Sequence, residues 1–286
     1  MIKPKPFLKS AGGKRRLVNP IASLVSQSGF TGKYIEPFLG GGAVFLDLHN
    51  RKLLKKKRAF LADACLPIAH TWQHVQDDPQ NLMADVDDIA LRIQHADRDN
   101  PAQDYDAFRW EFNDCLLDNQ VEAGSFLWLN HTCFNGLTRF NANGEFNVPF
   151  GKYKNPTIYN KENILAVTKA LKHAKIRHEG FLQSLDRAQP GDICYIDPPY
   201  IGQFDGYTPE GFGRMSQVAL AACLRDLSNK DVKIIASNSN LRATKSLYAD
   251  FMQIKTVSAN TKSLNSNTDD RAARNELLMY NFSATL

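Results

Sequence analysis

Four consecutive residues, Asp197-Pro198-Pro199-Tyr200, have the types and spacing to hold one kind of ligand. The Asp197 carboxylate and the Pro198 carbonyl, which has no N–H beside it to compete, make two fixed acceptors close together. Tyr200 adds a flat π face. Two acceptors and a stacking ring describe a receptor for a planar group that bears an exocyclic amine. The plainer alternative is a strand that ends in a rigid turn, with Asp197 capping it. Upstream, Asp192-Ile-Cys-Tyr-Ile reads as a buried strand. Two prolines forbid its continuation, since each fixes φ and lacks an N–H. Asp197 is therefore expected at the carboxyl end of a strand, the edge at which open α/β sheets bind ligands.

A second cluster lies earlier. Tyr34-Ile-Glu36-Pro37-Phe38-Leu-Gly40-Gly41-Gly42-Ala-Val-Phe45 reads as a short strand, a glycine turn and a helix, the geometry that holds a nucleotide-like ligand. Counted from Gly40, the third glycine of the dinucleotide fingerprint falls at Phe45. A nucleoside cofactor without phosphates is thus expected rather than a pyrophosphate. The strand Ala59–Asp63 ends in an acid about twenty residues after the glycines, where ribose hydroxyls are typically received. Capping of the following helix is the alternative. Near the N-terminus, Lys9-Ser10-Ala-Gly12-Gly13-Lys14-Arg15 forms a basic loop whose glycines permit close approach to a ligand; a solvated turn is the alternative there.

A third cluster runs from Asn130 to Lys154. Phe134, Asn135, Gly136, Leu137, Arg139, Asn147, Pro149, Lys152 and Tyr153 interleave aromatics with cations in an Asn- and Gly-rich loop. Such a mixture suits stacking on bases together with phosphate and base-edge contacts; a β-hairpin with exposed aromatics is the alternative. His70 and His74 have metal spacing on a helix, but no nearby Cys or third His joins them. They read as exposed helical histidines, and no metal is expected. The basic run Arg51–Arg58 reads as a solvated turn at the amino end of the second strand.

The elements that must position these groups alternate strand and helix at both ends of the chain, which predicts an α/β sheet. Strands are expected over 59–63, 175–181, 192–197, 232–237, 252–258 and 276–282, and helices over 160–173, 216–227 and 240–250. Between Leu66 and Asn130 the alternation stops, and 79–95, 103–119 and 121–130 look helical. The expected division is residues 1–65 and 159–286 as one α/β domain, with 66–158 as an insertion that ends in the loop 130–156. The 286 residues are 43% hydrophobic and 23% charged, an ordinary globular composition. No apolar run approaches a membrane span, and Met1-Ile-Lys-Pro-Lys lacks a signal-peptide core. Cys65, Cys115, Cys133, Cys194 and Cys223 are scattered and odd in number, which argues for reduced thiols. A net charge of +5 suits a polyanionic partner.

Together, Gly12-Gly13-Lys14, Glu36-Pro37-Phe38-x-Gly40-Gly41-Gly42, Asp63 and Asp197-Pro198-Pro199-Tyr200 resemble the Dam family of DNA adenine-N6 methyltransferases. The resemblance covers nearly the whole chain. Phe134-Asn135-Gly136-Leu137-x-Arg139 and Gly144-Glu-Phe-Asn147-Val-Pro149-Phe-Gly151 are similar to members that methylate adenine in GATC. The resemblance implies an α/β, Rossmann-like, S-adenosylmethionine-dependent methyltransferase fold with an inserted, mainly helical target-recognition domain. Residues 1–65 and 159–286 would then be catalytic, and the loop 130–156 would read DNA. It implies S-adenosylmethionine as cofactor, bound by Ser10, Gly12, Lys14, Glu36, Pro37, Phe38, Gly40, Gly42, Asp63, Phe181 and Asp197. Asp197, Pro198, Pro199 and Tyr200 would be catalytic, the first two accepting hydrogen bonds from the adenine amine and Tyr200 stacking on the flipped base. Lys9, Leu137, Arg139 and Pro149 would read bases, and Phe134 and Asn135 would fill the space the base leaves. Asn147, Lys152 and Tyr153 complete the DNA-binding set.

Two departures stand out: relatives commonly carry an aromatic in place of Ser10 and often an acid near Gln183. The implied partner is double-stranded DNA, with neither metal nor membrane. The expected protein is a monomer in solution, cytoplasmic and nucleoid-associated, of bacterial or phage origin. An N4-cytosine methyltransferase is the alternative enzyme, although that chemistry more often carries Ser in place of Asp197. An inactive, sequence-specific DNA-binding regulator is the alternative from another class. The intact acid, both prolines and the glycine turn argue against that decay.

Overall fold

The computed structural model describes residues 2–10, 14, 17–54, 58–94, 100–118, 120–200, 211–257 and 275–285. Among them run β1 (Tyr34–Glu36), β2 (Ala59–Asp63), β3 (Ala174–His178), β4 (Ile193–Ile196), β5 (Lys233–Ser239), β6 (Gln253–Val257) and β7 (Glu276–Tyr280). These form a seven-stranded sheet of order β3-β2-β1-β4-β5-β7-β6. β1 to β5 pair in parallel, and β7 is antiparallel to both β5 and β6. All four residues of β4 are buried, as expected of a central parallel strand covered on both faces. The order reverses between β1 and β4, so a ligand crevice belongs at their carboxyl ends.

The helices are α1 (Val18–Gln27), α2 (Ala43–Asn50), α3 (Leu66–Asp77), α4 (Pro79–Gln94), α5 (Pro101–Leu117), α6 (Ala123–Thr132), α7 (Lys161–Ala170), α8 (Phe181–Asp186), α9 (Arg214–Asn229) and α10 (Arg242–Tyr248). Side chains of a strand alternate between faces, and the two cores follow that alternation. Tyr34, Ile193, Tyr195 and Ile235 pack with apolar residues of α1, α2, α3 and α7. Ile35, Cys194, Ile196, Ile234 and Ala236 face α8, α9 and α10. α4, α5 and α6 extend the first core beyond the sheet through Leu82, Val86, Phe108, Phe112 and Phe126, while α3 packs directly on β2 and β3. This is a Rossmann-like α/β architecture. Among the described residues, no helix is long and apolar enough to cross a membrane.

Two local expectations need correction. The strand expected to reach residue 181 stops at His178, and Phe181 opens α8 instead. The Gln183 side chain accepts the Gly180 N–H at 3.1 Å, which caps a first turn that the sequence pattern had disguised as strand. His70 and His74 are half-buried rather than exposed. His70 lies edge-on to His178 at 6.5 Å, and burial lowers its pKa.

Candidate active site

The Pro-Pro turn projects Asp197 from the end of β4 onto the face that Tyr195 shares. The β4–β5 register pairs Tyr195 with Ile235 and Ile196 with Ala236, so Ser237 comes beside Asp197. Ser237 Oγ donates to Asp197 Oδ1 at 2.8 Å and lies 3.0 Å from the Tyr195 hydroxyl. Lys14 Nζ lies 3.0 Å from the same Asp197 oxygen and 3.6 Å from Glu276 Oε2. It also sits 4.6 Å from the centre of the Tyr200 ring, within cation–π range. The Lys14 carbonyl accepts the N–H groups of Leu17 and Val18 and so opens α1, which anchors its backbone. Burial pushes the Asp197 carboxyl upward, while the Lys14 ammonium and the Ser237 hydroxyl oppose that shift.

Tyr200 and its turn have further supports. Its hydroxyl donates to Glu276 Oε2 at 2.7 Å, and Gln217 Nε2 donates to the Pro199 carbonyl at 2.7 Å. Asn238 reaches Gln217 Oε1 at 3.3 Å. Ser237, Gln217, Asn238 and Glu276 were absent from the sequence-based set. Ser237 could have been found as the polar end of the neighbouring apolar strand. Glu276 carried no comparable signal.

The glycine turn lies at the next crevice wall. Gly40 and Gly42 have φ of +46° and +64°, which other residues adopt at a cost. A Cβ at Gly42 would lie 2.4 Å from the Trp72 ring. Trp72 Nε1 donates to the Gly40 carbonyl at 2.8 Å, so a buried residue of α3 shapes the turn. Asp63 accepts the Gly40 N–H at 2.8 Å and the Cys65 N–H at 2.9 Å. It therefore ties the glycine turn to the residue that leads into α3, with part of its acceptor capacity remaining. Burial raises its pKa to about 6. Ser10 sits 3.6 Å from where a Gly40 Cβ would be; Pro37 is buried under the turn. Gly12 lies outside the described residues.

Glu36 lies between the two clusters. Tyr34, two residues back and so on the same face, donates its hydroxyl at 2.6 Å. Burial raises the Glu36 carboxyl to about 8, opposed by the Tyr34 bond and assisted by the Asp197 and Asp63 charges. Beyond it, Phe38 stacks on Phe181 with centroids 5.7 Å apart, and Phe212 meets both rings edge-on. Among the described residues, no group of three His, Cys, Asp or Glu side chains could hold a metal.

The third cluster is a separate loop on the α4–α6 side. Phe134 and Asn135 protrude from a short 3-10 turn, Phe134 with 49% exposure. Leu137 and Arg139 are half-buried and alternate with buried Gly136, Thr138 and Phe140, so they share one face. Arg139 donates through Nε and Nη2 to the Asn147 side chain and carbonyl, at 2.6 and 2.8 Å. Lys9 Nζ lies 4.4 Å from the Tyr153 ring centre, while Pro149 and Lys152 are exposed. Two buried residues of α5, also unforeseen, brace the loop. Asn113 bonds both backbone groups of Phe146, and the Tyr105 hydroxyl donates to the Val148 carbonyl at 2.8 Å.

An acid at a strand end beside a braced tyrosine, a glycine turn and a basic, aromatic loop together select one kind of chemistry. Residues 10–263 match the family model of D12 class N6 adenine-specific DNA methyltransferases. The chain belongs to that family. It is 33% identical to a type II methyltransferase, M1.LlaDCHI, of Lactococcus lactis subsp. cremoris, over 97% of this chain and 95% of the relative. Identity to the type II methyltransferase M.MjaIII of Methanocaldococcus jannaschii is 34%, over 97% and 99%. It is 32% to the DNA adenine methylase of Salmonella typhi, over 97% and 95%. This D12 enzyme is therefore an adenine-specific DNA methyltransferase that uses a methyl donor and acts on N6 of adenine, which removes the N4-cytosine alternative.

Proposed function

We propose that the enzyme methylates N6 of an adenine turned out of duplex DNA at GATC, with S-adenosylmethionine as donor. The observation that carries this reading is the Asp197 carboxylate, held by Ser237 and Lys14 beside the Tyr200 ring. The donor's fit is supported by the glycine turn. Its left-handed glycines let the backbone approach a ligand, Asp63 offers a carboxylate for ribose hydroxyls, and Phe38 and Phe181 offer aromatic surface. Ser10, Lys14, Glu36, Pro37, Gly42 and Asp197 complete that wall. A bound sulfonium donor supplies an electrophilic methyl group.

The residues of the chain do the rest. The adenine amine is a poor nucleophile because its lone pair is delocalised into the ring. Asp197 and the Pro198 carbonyl accept hydrogen bonds from its two N–H groups, draw the nitrogen towards tetrahedral geometry and localise that pair; one of the two protons leaves once the nitrogen carries the methyl group. Tyr200 carries the base, and Pro199 fixes the turn through its bond to Gln217. Positioning and electrostatics provide most of the assistance. The cysteines are spectators: burial raises the thiols of Cys65, Cys133 and Cys194, Cys133 to about 11, far from a reactive thiolate.

Leu137, Arg139 and Pro149 of the recognition loop, and Lys9 of the N-terminal segment beside it, read bases, with Asn147 orienting Arg139. Phe134 and Asn135 occupy the space the adenine vacates, offsetting part of the few kcal/mol that flipping costs. Lys152 and Tyr153 contact the backbone. The enzyme works as a cytoplasmic monomer on the nucleoid of a bacterium or on phage DNA.

The test is to incubate purified protein with methyl-labelled donor and plasmid, identify the labelled base, and digest with methylation-sensitive GATC nucleases. N6-methyladenine with every GATC site protected is the expected result. N6-methyladenine on a plasmid still cut at GATC would refute the site while leaving the reaction intact.

A further inference from the structure

Asn130, near the end of α6, is 1% exposed, and its side chain is spent on a segment far away in sequence. Its Oδ1 accepts the Lys9 N–H at 2.7 Å. Its Nδ2 donates to the Lys9 carbonyl at 3.0 Å and, more distantly, to the Gly136 carbonyl at 3.5 Å. One amide thus grips both backbone groups of a residue 121 positions away and touches the turn that bears Phe134 and Asn135. An amide can do this because it presents a donor and an acceptor side by side. Neither aspartate nor leucine, which are similar in size, offers both.

The grip on Lys9 is repeated by its neighbours. His131 Nε2 pairs with the Phe7 carbonyl at 2.8 Å, and the Lys9 ammonium donates to the His131 carbonyl at 2.9 Å. Gly136, with φ of +61°, passes so close that a Cβ there would lie 2.3 Å from the Lys9 Cβ. Lys9 belongs by sequence to the cofactor side of the molecule. Ser10 borders Gly40 and Gly41, and Phe7 packs edge-on against Trp72 at 4.6 Å. The recognition loop itself contributes none of the backbone that carries Lys9. Its position relative to Leu137 and Arg139 is set across a tertiary contact, at Asn130.

We propose that Asn130 is a specificity-determining positioning residue. It touches neither DNA nor donor but fixes the backbone of Lys9 against the 134–136 turn, so that the ammonium meets one base of the target. This rests on the reading above in which Lys9 contacts a base. Loss of the amide leaves the Lys9 N–H and carbonyl without their buried partner and lets Lys9 shift relative to the loop, while the Arg139–Asn147 pair and the Asp197 cluster keep their own supports.

The experiment measures kcat/KM on the cognate duplex and on duplexes with one base pair changed at each position. It compares the wild type with Lys9→Ala, Asn130→Ala, Asn130→Asp and the Lys9→Ala/Asn130→Ala double variant, alongside donor affinity by calorimetry. Lys9→Ala should lose about tenfold discrimination at one position. Asn130→Ala should lose discrimination at that same position with donor affinity unchanged. The double variant should lose no more than the worse single one, because both act through one contact. Asn130→Asp keeps the acceptor for the Lys9 N–H but turns its second oxygen on the Lys9 carbonyl, so it too should lose discrimination at the same position; unchanged donor affinity in both Asn130 variants shows that they are folded. A uniform fall on every duplex, or losses that add in the double variant, would overturn the proposal. So would a selective loss in Lys9→Ala that neither Asn130 variant shares. Unchanged discrimination in Lys9→Ala would instead remove Lys9 as a base reader and take the proposal down with it.

Discussion

The Tyr200 hydroxyl donates to Glu276 Oε2 at 2.7 Å, across 76 residues of sequence. That bond, together with the Pro-Pro turn, anchors both ends of the ring on which the adenine is proposed to stack. Glu276 also lies 3.6 Å from Lys14. Removing the hydroxyl in Tyr200→Phe should lower kcat/KM by roughly 1 kcal/mol, the net worth of one hydrogen bond. Glu276→Ala should cost more, since it also loosens Lys14. Combined in one enzyme, the two changes should be less than additive. Steady-state kinetics on the cognate duplex decide this, and strict additivity would show that Glu276 acts elsewhere.

Chemistry and donor binding should separate between the two acids. Asp197→Ala should retain most donor affinity and lose turnover by orders of magnitude, because it removes an acceptor from the reacting amine. Asp63→Ala should weaken donor binding by about 1–3 kcal/mol. It should also lower Tm, since Asp63 holds the Gly40 and Cys65 N–H groups. Calorimetry and single-turnover assays on both variants check the split. Abolished donor binding in Asp197→Ala would reverse the assignments.

Arg139 should be read together with Asn147, which holds two of its nitrogens. The guanidinium has further N–H groups to present to a guanine edge. Arg139→Ala should cost roughly 1–3 kcal/mol of discrimination at one guanine. Asn147→Ala should give a partial loss at the same position, because the fork is retained but no longer aimed. Equal weakening at all positions for Arg139→Ala would make it a phosphate anchor.

Glu36 makes stability depend on pH in a predictable direction. Its folded pKa, about 8, stands above the ordinary 4.5 because burial disfavours the charged form. The folded state therefore binds this proton more tightly than the unfolded state. The resulting stabilisation is complete below about pH 4.5 and is lost as pH rises through 8. Asp63, raised to about 6, contributes with the same sign over a lower window. Glu36→Gln should remove its share. The Tm difference between Glu36→Gln and the wild type should move in favour of the variant from pH 5 to pH 8. A difference that stays flat would mean Glu36 is not buried as a neutral acid.

The sequence by itself determined the chemistry-bearing ends of single elements. The apolar run into two prolines placed Asp197 at a strand end, because both signals are local and each acts on its own backbone. Counting from Gly40 to Phe45 argued against a dinucleotide turn for the same reason, and the Asn- and Gly-rich stretch from Asn130 to Lys154 suggested a DNA-reading loop through composition alone. Even there a local reading failed at Phe181, where one capping bond from Gln183 outweighed a strand-like pattern. What only the tertiary structure decided was which of these ends meet. Ser237 reaches Asp197 because of the parallel β4–β5 register. Glu276 arrives because β7 runs antiparallel, which brings its amino end to the carboxyl edge of the parallel strands. Trp72 shapes the glycine turn from α3, and Asn130 holds Lys9 from α6. None of these pairs has a sequence period, because the burial of two whole sheet faces selects strand order and register, and that free energy is spread over the core rather than written in any neighbouring residues.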